Sequence, residues 1–192
     1  MQSRKASPLD GLPVAFSLVE QTMSILKTVI DAVTSPSNED EVDAIELLKA
    51  DHEEVDKLFK EYELLADGAK DDTARRDLST QICGMLAVHA MIEEEIFYPA
   101  ARTAKVDSAL LDEATIEHGS AKHLIAEIGA AQASDSLYDA RVKVLGEYIR
   151  HHVKEEEGQL FPACRKSEMD LEAVGVRLEK RKAQLMRKLA GQ

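Results

Sequence analysis

The chain has 192 residues, of which 31% are charged and 4% are aromatic, and its formal net charge at pH 7 is −12. This length allows a sizeable core, and the shortage of aromatic residues beside plentiful Ala, Leu, Glu and Lys favours helices over sheets. The acidic balance argues against a nucleic-acid partner, because binding to phosphates needs clustered Lys and Arg.

The first 40 residues are predicted to form an N-terminal extension, 1–40. Residues 13–33 (PVAFSLVEQTMSILKTVIDAV) are apolar enough for an amphipathic helix, and the polar linker TSPSNED follows them. We expect this helix to contact the bundle, a second copy of the chain or a protein partner. No run reaches the ~18 apolar residues of a membrane span, and two cysteines are too few for a disulfide framework. We therefore expect a cytoplasmic protein without a membrane span.

Residues 41–166 are predicted to form the main domain, in which apolar residues such as Ile45 and Leu48 recur at three- and four-residue steps. Four helices are predicted, at about 41–66, 73–104, 108–132 and 136–166. Long helices with short connections indicate an all-α fold, an antiparallel up-down four-helix bundle. A further helix at about 168–189 is predicted in the C-terminal segment 167–192.

An internal repeat divides the main domain. The segments HAMIEEEIFYPA, from His89, and HVKEEEGQLFPA, from His152, share His, Glu at +4 and +5, Pro at +10 and Ala at +11. The segments DHEEVDKLF, around His52, and EHGSAKHLI, around His118, share an acid, the His and two apolar residues further on. The domain is therefore two similar helical hairpins. Each has one His on its first helix and His-x-x-x-Glu on its second.

The four histidines of the repeat are predicted to lie at one level of the bundle. In an antiparallel hairpin, residues equally far from the turn lie at the same height. At ~1.5 Å per residue, His52, His89, His118 and His152 all lie about 25 Å from their turns, within about one helical turn of each other. Four histidines at one level inside one bundle form a site.

The glutamates after His89 and His152 divide into inward and outward positions. A +4 step turns the helix to ~40° past the starting direction, so Glu93 and Glu156 share the faces of the two histidines. Glu94, at +5, is ~140° away, and we expect it in solvent. We expect His151, Glu155 and Glu157 at outward or flanking positions.

Four neutral imidazoles and two carboxylates suit iron or another first-row transition metal, and each carboxylate can bridge two ions. Incomplete coordination shells would bind O₂, peroxide, NO or water. The alternative is that these are surface histidines beside surface glutamates. That explanation suits one His-x-x-x-Glu better than two copies in register. The Glu-x-x-His motif of ferritin-like di-iron proteins and the His-Glu-x-x-His motif of zinc proteases are absent from the sequence.

This doubled pattern, together with the segment DAIELLKADHEEV, resembles the hemerythrin-like HHE cation-binding domain family of bacterial type over about residues 43–165. The resemblance implies a non-heme di-iron centre, with two iron ions (Fe²⁺/Fe³⁺) bridged by Glu93, by Glu156 and by an oxo or hydroxo group. It implies oxygen binding, or binding of another small diatomic or peroxide ligand. The metal ligands that it implies are His52, His89, Glu93, His118, His152 and Glu156.

One departure from the family concerns the third helix. Oxygen-carrying hemerythrins have another His four residues after the ligand on this helix, and here Lys122 stands at that position. His123 is expected at the surface. Asp56, four residues after His52, and Tyr148, one turn before His152, face the right way to be an extra ligand or to orient one, although core packing also accounts for Tyr148.

Pro99 and Pro162 are predicted to kink or end the second and fourth helices, because proline cannot donate the backbone hydrogen bond that continues a helix.

Three functions remain open from the sequence. The first is a di-iron protein that binds or reacts with O₂, peroxide or NO in sensing, detoxification or iron handling, including a peroxide- or NO-consuming oxidoreductase. Lys122 favours reaction over simple oxygen carriage. The second is a metal-gated regulatory or interaction protein without turnover, which uses residues 13–33 for self-association or a protein partner. The third is a bundle held together by a structural zinc ion.

Overall fold

The computed structural model describes residues 42–68 and 71–191, and within these ranges the chain is helical and contains no strand. The helix predicted at 13–33, and with it the N-terminal extension 1–40, lies outside the described residues. None of the described helices has both the length and the apolar character that a membrane crossing requires.

The described part contains five helices, two of which are composite. Helix α1 is Ala44–Asp67, α3 is Ser108–Ala130 and α5 is Leu171–Ala190. Helix α2 consists of Asp72–Ile92, a π-helical turn Glu93–Phe97 and Tyr98–Thr103. Helix α4 consists of Tyr138–Glu155, a π-helical turn Glu156–Leu160 and Phe161–Lys166. All five lie where the sequence pattern predicts helices.

Aspartates fix where four of these helices begin. Each accepts a hydrogen bond from a backbone N–H of the first turn, which has no partner inside the helix. The capping residues of α1, α2, α3 and α5 are Asp43, Asp71, Asp107 and Asp170.

Pro99 and Pro162 were predicted to kink or end their helices, and the second of these alternatives is wrong. Each helix continues, because a π-helical turn precedes the proline. In this turn the N–H of Tyr98 donates to the carbonyl of Glu93, five residues earlier, and the N–H of Phe161 donates to that of Glu156. The wider turn places each proline in the first turn of a new α-helical segment, where its missing N–H is not needed.

Helices of each hairpin pack against each other, α1 on α2 and α3 on α4, and α1 also contacts α4. His52 in the first half of α1 contacts His89 in the second half of α2. Near the opposite end, Tyr62 of α1 and Arg75 of α2 both donate to Asp139. Helices α1 and α2 therefore run in opposite directions.

Two apolar clusters fill the core, and the predicted ligands fall between them along each of the first four helices. One cluster contains Ile45, Val88, Leu111 and Phe161, and the other contains Val55, Ile82, Ile128 and Leu145. Helix α5 packs against α1 and α2, and contributes Val174, Leu178 and Leu185 to the first cluster. The polar residues between the clusters are thus shut off from water at both ends.

Candidate metal centre

The structure brings all six predicted ligands together at the centre of the fold. None is more than 8% exposed, and Glu93 is completely buried. Burying this many polar groups is costly unless each has a partner. The six residues are His52 on α1, His89 and Glu93 on α2, His118 on α3, and His152 and Glu156 on α4.

The four histidines form two pairs, one within each hairpin. The Nε2 atoms of His52 and His89 lie 3.2 Å apart, and those of His118 and His152 also lie 3.2 Å apart. Each pair therefore aims its two inner nitrogens at a common point.

The two glutamates connect these pairs. The Oε2 atom of Glu93 lies 3.1 Å from Nε2 of His89 and 3.3 Å from Nε2 of His118. The Oε2 atom of Glu156 lies 3.3 Å from Nε2 of His52 and 3.5 Å from Nε2 of His152. Each carboxylate thus contacts one histidine of each pair, which is the placement that a bridging ligand needs.

The outer nitrogen of every histidine has its own carboxylate partner. An ionised carboxylate only accepts hydrogen bonds, so each Nδ1 carries the proton and donates it. The inner Nε2 atom of each ring then faces the centre, where it can offer a lone pair to a metal ion that takes the place of a proton. The pairs are His52 with Glu157 at 2.9 Å, His89 with Asp51 at 3.3 Å, His118 with Glu94 at 3.0 Å and His152 with Glu117 at 2.7 Å.

These outer carboxylates follow the repeat. Asp51 and Glu117 directly precede the first-helix histidines, and each bonds the second-helix histidine of its own hairpin. Glu94 and Glu157 directly follow the inner glutamates, and each bonds a histidine of the other hairpin. The signal for them was present in the sequence, as an acid before the first His and a Glu at +5 in both copies.

The expectation that Glu94 is a solvated side chain is therefore wrong, because Glu94 is only partly exposed and pairs with His118. Glu157 lies at an exposed, flanking position as expected, but it also pairs with His52. A helix in a bundle has two neighbouring helices, so a side chain pointing ~140° from the centre can reach one of them while part of it stays in water. Glu94 reaches α3 and Glu157 reaches α1 in this way.

The inner carboxylate oxygens carry the clearest sign of a cation. Among residues 42–68 and 71–191, no hydrogen-bond donor serves either oxygen of Glu93 or the Oε2 atom of Glu156. A buried polar atom without a partner costs about 1–3 kcal/mol, and more for a charged group. The four inner Nε2 atoms converge on the Oε2 atoms of these two glutamates. Two groups could each hold an ion, His52, His89, Glu93 and Glu156 in one, and Glu93, His118 and His152 in the other.

The charges of the site also shift its proton affinities. Burial lowers the pKa of His89, but the charges of Glu93 and Asp51 outweigh it and raise the pKa to about 10. Burial likewise acts to raise the pKa of Glu93, but His89 and His118 hold it well below its usual value. The site therefore strongly favours positive charge at its centre, whether a proton or a metal ion supplies it.

Tyr98 is a site residue that sequence reasoning missed. Its hydroxyl donates to Oε1 of Glu156 at 2.9 Å and lies 3.3 Å from Nε2 of His118. Burial and the charges of Glu93 and Glu156 raise the pKa of Tyr98 far above its usual value, so it remains a donor. The repeat places Phe161 at the matching position, where its ring stacks on His52. This difference between the two copies was the signal available in the sequence.

The additional residues named from the sequence lie outside the ligand cluster. Asp56 pairs with Lys60 and Arg150. Lys122 reaches the site only indirectly, because it donates to Glu94, the partner of His118. Tyr148 is 38% exposed, so both site contact and core packing are wrong for it; its ring lies on the outer side of α4.

His123, expected at the surface, is 77% exposed and lies beside Glu127 on the same helix.

The chain was compared with models of known protein families, and the match agrees with a cation-binding site. The family model described as Hemerythrin HHE cation binding domain matches residues 43–164, well over half of the chain. All six buried ligand candidates lie within the match, and the resemblance drawn from the sequence is confirmed.

Two individual proteins are also similar. A DNA nickase from Nostoc sp. is 29% identical over 163 residues, which cover 84% of this chain and 45% of the nickase, so this chain spans less than half of that relative. Among solved structures, a hemerythrin HHE cation binding domain-containing protein from Mycobacterium kansasii has the same fold, with a TM-score of 0.64 and 21% identity. That alignment covers 77% of this chain and 89% of the mycobacterial chain.

Proposed function

The chain belongs to the hemerythrin HHE cation-binding domain family, and on that premise we propose that it holds two iron ions at the centre of an up-down four-helix bundle formed by α1 to α4. The observation that carries this proposal is the convergence of four inner imidazole nitrogens on buried carboxylate oxygens that have no donor among the described residues.

The donor set divides into two similar halves. His52 and His89 would hold one ion and His118 and His152 the other, with Glu93 and Glu156 shared between them. Imidazole and carboxylate ligands suit iron, whereas the closed structural zinc sites of proteins are mostly tetrahedral and rich in cysteine. Both cysteines of this chain are free, and neither belongs to the clustered groups of the described residues.

Bound iron would supply electron transfer and open coordination positions for a small molecule. The chain supplies the surroundings for this chemistry. Four outer carboxylates fix the orientation of the four rings, and Tyr98 holds a proton on its hydroxyl beside Glu156 and His118. The two apolar clusters exclude bulk water from either side.

These features fit a protein that binds or reacts with O₂, peroxide or NO. A proton donor beside the site favours reduction of such a ligand over reversible carriage, because reduction consumes protons. We therefore place a peroxide- or NO-consuming oxidoreductase first among the forms that this function can take.

Anaerobic loading with Fe²⁺ followed by addition of O₂, peroxide or NO tests the proposal. We expect two iron ions per chain and a ligand-to-metal charge-transfer absorption after oxidation. With an added electron donor, repeated consumption of peroxide or NO would identify an enzyme, and a single stoichiometric change would identify a sensor or carrier. A chain that binds only zinc, stays colourless and unfolds with chelator would contradict the proposal and support a structural metal.

A nucleic-acid function is the second candidate, because the Nostoc relative is named a DNA nickase. The net charge of −12 argues against it for this chain, since affinity for DNA depends on cationic side chains that neutralise phosphates. Incubating the iron-loaded chain with supercoiled plasmid distinguishes the two. We expect no conversion to the open circular form.

A further inference from the structure

The metal centre is covered differently on its two sides, which are formed by the two copies of the repeat. In the first copy, the positions around the site are Leu47, Val88 and Ile92, which pack in one apolar cluster with α5. Lys182 of α5 also pairs its ammonium group with Asp51, the partner of His89. Helix α5 thus covers this face and places a positive charge beside the centre.

In the second copy, three titratable residues replace these apolar ones. They occupy the matching positions of the repeat on α3 and α4, and they are Glu113, His151 and Glu155. The Nε2 atom of His151 lies 3.5 Å from Oε1 of Glu117 and 3.6 Å from Oε1 of Glu155. Glu117, His151 and Glu155 together could hold a cation near the surface.

A narrow cleft between α3 and α4 leads inward from this surface. Its carboxylates become steadily less exposed with depth: the side chain of Glu155 is 28% exposed, that of Glu117 is 12% exposed and that of Glu156 is 2% exposed. The cleft has a volume of about 10 Å³, which is space for about one water-sized particle. The residues that line it are Leu110, Glu113, Ala114, Glu117, Glu155, Glu156 and Leu160.

Glu156, a predicted ligand of the buried centre, lies at the inner end of the cleft. Glu156 is 1% exposed, and its Oε2 atom has no hydrogen-bond donor within residues 42–68 and 71–191. The cleft therefore joins a surface group of cation ligands to a buried carboxylate, one of whose two oxygens has no donor among the described residues.

We propose that this cleft is the route by which a divalent cation, Fe²⁺ in the functional protein, reaches the buried centre. Glu113, Glu117, His151 and Glu155 form a transient site at its mouth, from which the cation passes to Glu156. This inference rests on the proposed function, since it assigns a loading path to the same metal centre.

The charge of the cleft selects for cations. Low-dielectric walls with charges of one sign focus the electrostatic field and raise the local concentration of the opposite ion. Since the cleft admits about one water-sized particle, a hydrated ion must shed water there, and the carboxylates replace the lost oxygen ligands. A solvated pair of His151 and Glu155, one helical turn apart, would explain their own contact. It does not explain the cleft itself, along which the carboxylates lead from the surface to Glu156.

The test measures the rate at which Fe²⁺ enters the full-length chain. Protein stripped of metal is mixed anaerobically with Fe²⁺ at low ionic strength, and free Fe²⁺ is read with a coloured chelator. For the double variant Glu113→Gln with Glu155→Gln, we expect loading about tenfold slower than in the wild type, because focusing by a charged cleft is worth about 10- to 1,000-fold. The final iron content should match that of the wild type.

A matched pair of neutralisations serves as the control. Glu61→Gln with Asp77→Asn removes two exposed acidic charges from the other end of the bundle, so it should leave the loading rate unchanged. Raising the salt concentration should reduce the difference between the cleft variant and the wild type, because salt screens exposed charges. If the double variant does not fold, the single charge reversal Glu113→Lys at the exposed mouth decides the question by the same measurement.

Equal loading rates in the cleft variant and the wild type would overturn the route and leave the metal centre standing. The route would also be overturned if the cleft variant loaded at the normal rate but its iron-loaded form reacted more slowly with peroxide, since the cleft would then admit the small molecule. A wild-type chain that takes up no iron would overturn the proposed function, and the route with it.

Discussion

The Nδ1 atom of His118 on α3 donates to Glu94 on α2, at 3.0 Å across the boundary between the two hairpins. Lys122 donates to the same carboxylate at 2.6 Å, so Glu94 is held from two sides. A metal-binding histidine whose other nitrogen donates to a carboxylate has a fixed ring orientation and greater basicity. The acid that directly follows the inner Glu93 therefore prepares a histidine of the other hairpin for a metal.

Glu94→Ala should weaken metal binding without removing a ligand. Loss of such an outer partner typically lowers metal affinity about 10- to 100-fold, because the ring is no longer oriented. Competition with a chelator of known affinity measures the change. Glu95→Ala is the matched control, because Glu95 pairs with Arg181 on α5. Equal affinities for the two variants would show that Glu94 does not orient His118.

Replacing a histidine of the centre should lower the iron content, whereas replacing an exposed histidine should not. His118→Ala removes a nitrogen that lies 3.3 Å from Glu93, and we expect the iron content to fall from two ions per chain to one or none. His123→Ala, five residues further along the same helix and 77% exposed, should retain full iron content. Elemental analysis of both proteins provides the comparison, and a full iron content in His118→Ala would contradict the ligand assignment.

Tyr98→Phe should retain the shape of the site but remove the proton donor to Glu156. Phe161 occupies the matching position of the repeat, so a phenyl ring fits the fold. Stripped of metal, the variant should lose about 1–3 kcal/mol of unfolding free energy, because a buried carboxylate oxygen loses its donor. Urea unfolding measures this loss.

Tyr62→Phe is the matched control for this change. Its hydroxyl donates to Asp139, which retains a second donor in Arg75, so we expect a smaller loss. In the iron-loaded proteins, Tyr98→Phe should slow peroxide or NO consumption, whereas Tyr62→Phe should not. Normal turnover in Tyr98→Phe would mean that the hydroxyl supplies no proton.

The stability of the metal-stripped protein should fall as pH rises from about 6.5 towards 10. The pKa of His89 is raised to about 10 in the folded chain, whereas that of an unfolded histidine is about 6.5. The proton on His89 therefore stabilises the folded chain. This contribution is complete below about pH 6.5 and is lost as the pH rises through the folded pKa. The slope for one proton is at most about 1.4 kcal/mol per pH unit.

Iron should abolish this pH dependence by occupying the nitrogen that otherwise binds the proton. Urea unfolding at several pH values, with and without iron, tests both statements. A flat profile in the metal-stripped protein would contradict the raised pKa of His89.

Gly175→Ala should loosen α5 from the bundle. A Cβ atom at Gly175 would lie 1.7 Å from the carbonyl oxygen of Val42, so the backbones would have to separate. We expect a loss of about 1–3 kcal/mol or more of unfolding free energy. Gly129→Ala is the control, because nothing lies within 4 Å of its Cβ position and alanine is the better helix former. Thermal unfolding of both variants provides the comparison. A loss of stability in both would mean that glycine is needed for a reason other than the close contact at Gly175.

The helices and the six central residues were predictable because both depend on spacing along the chain. Heptad-like steps predicted the helices, and the duplicated His-x-x-x-Glu placed Glu93 and Glu156 on the faces of His89 and His152. Local reasoning failed where a backbone change or a neighbouring helix intervened. The π-helical turns before Pro99 and Pro162 allow the helices to continue.

The sequence by itself determined that the six ligand candidates face the centre, because the repeat marks them and helical periodicity fixes the direction of each side chain relative to its own axis. Only the tertiary structure decided which groups those side chains meet. It gave each histidine an outer carboxylate from another helix, brought Tyr98 to Glu156, and covered one copy of the repeat with α5 while the cleft opens beside the other. These contacts join residues far apart in the chain, and periodicity carries no information about which helix becomes a neighbour.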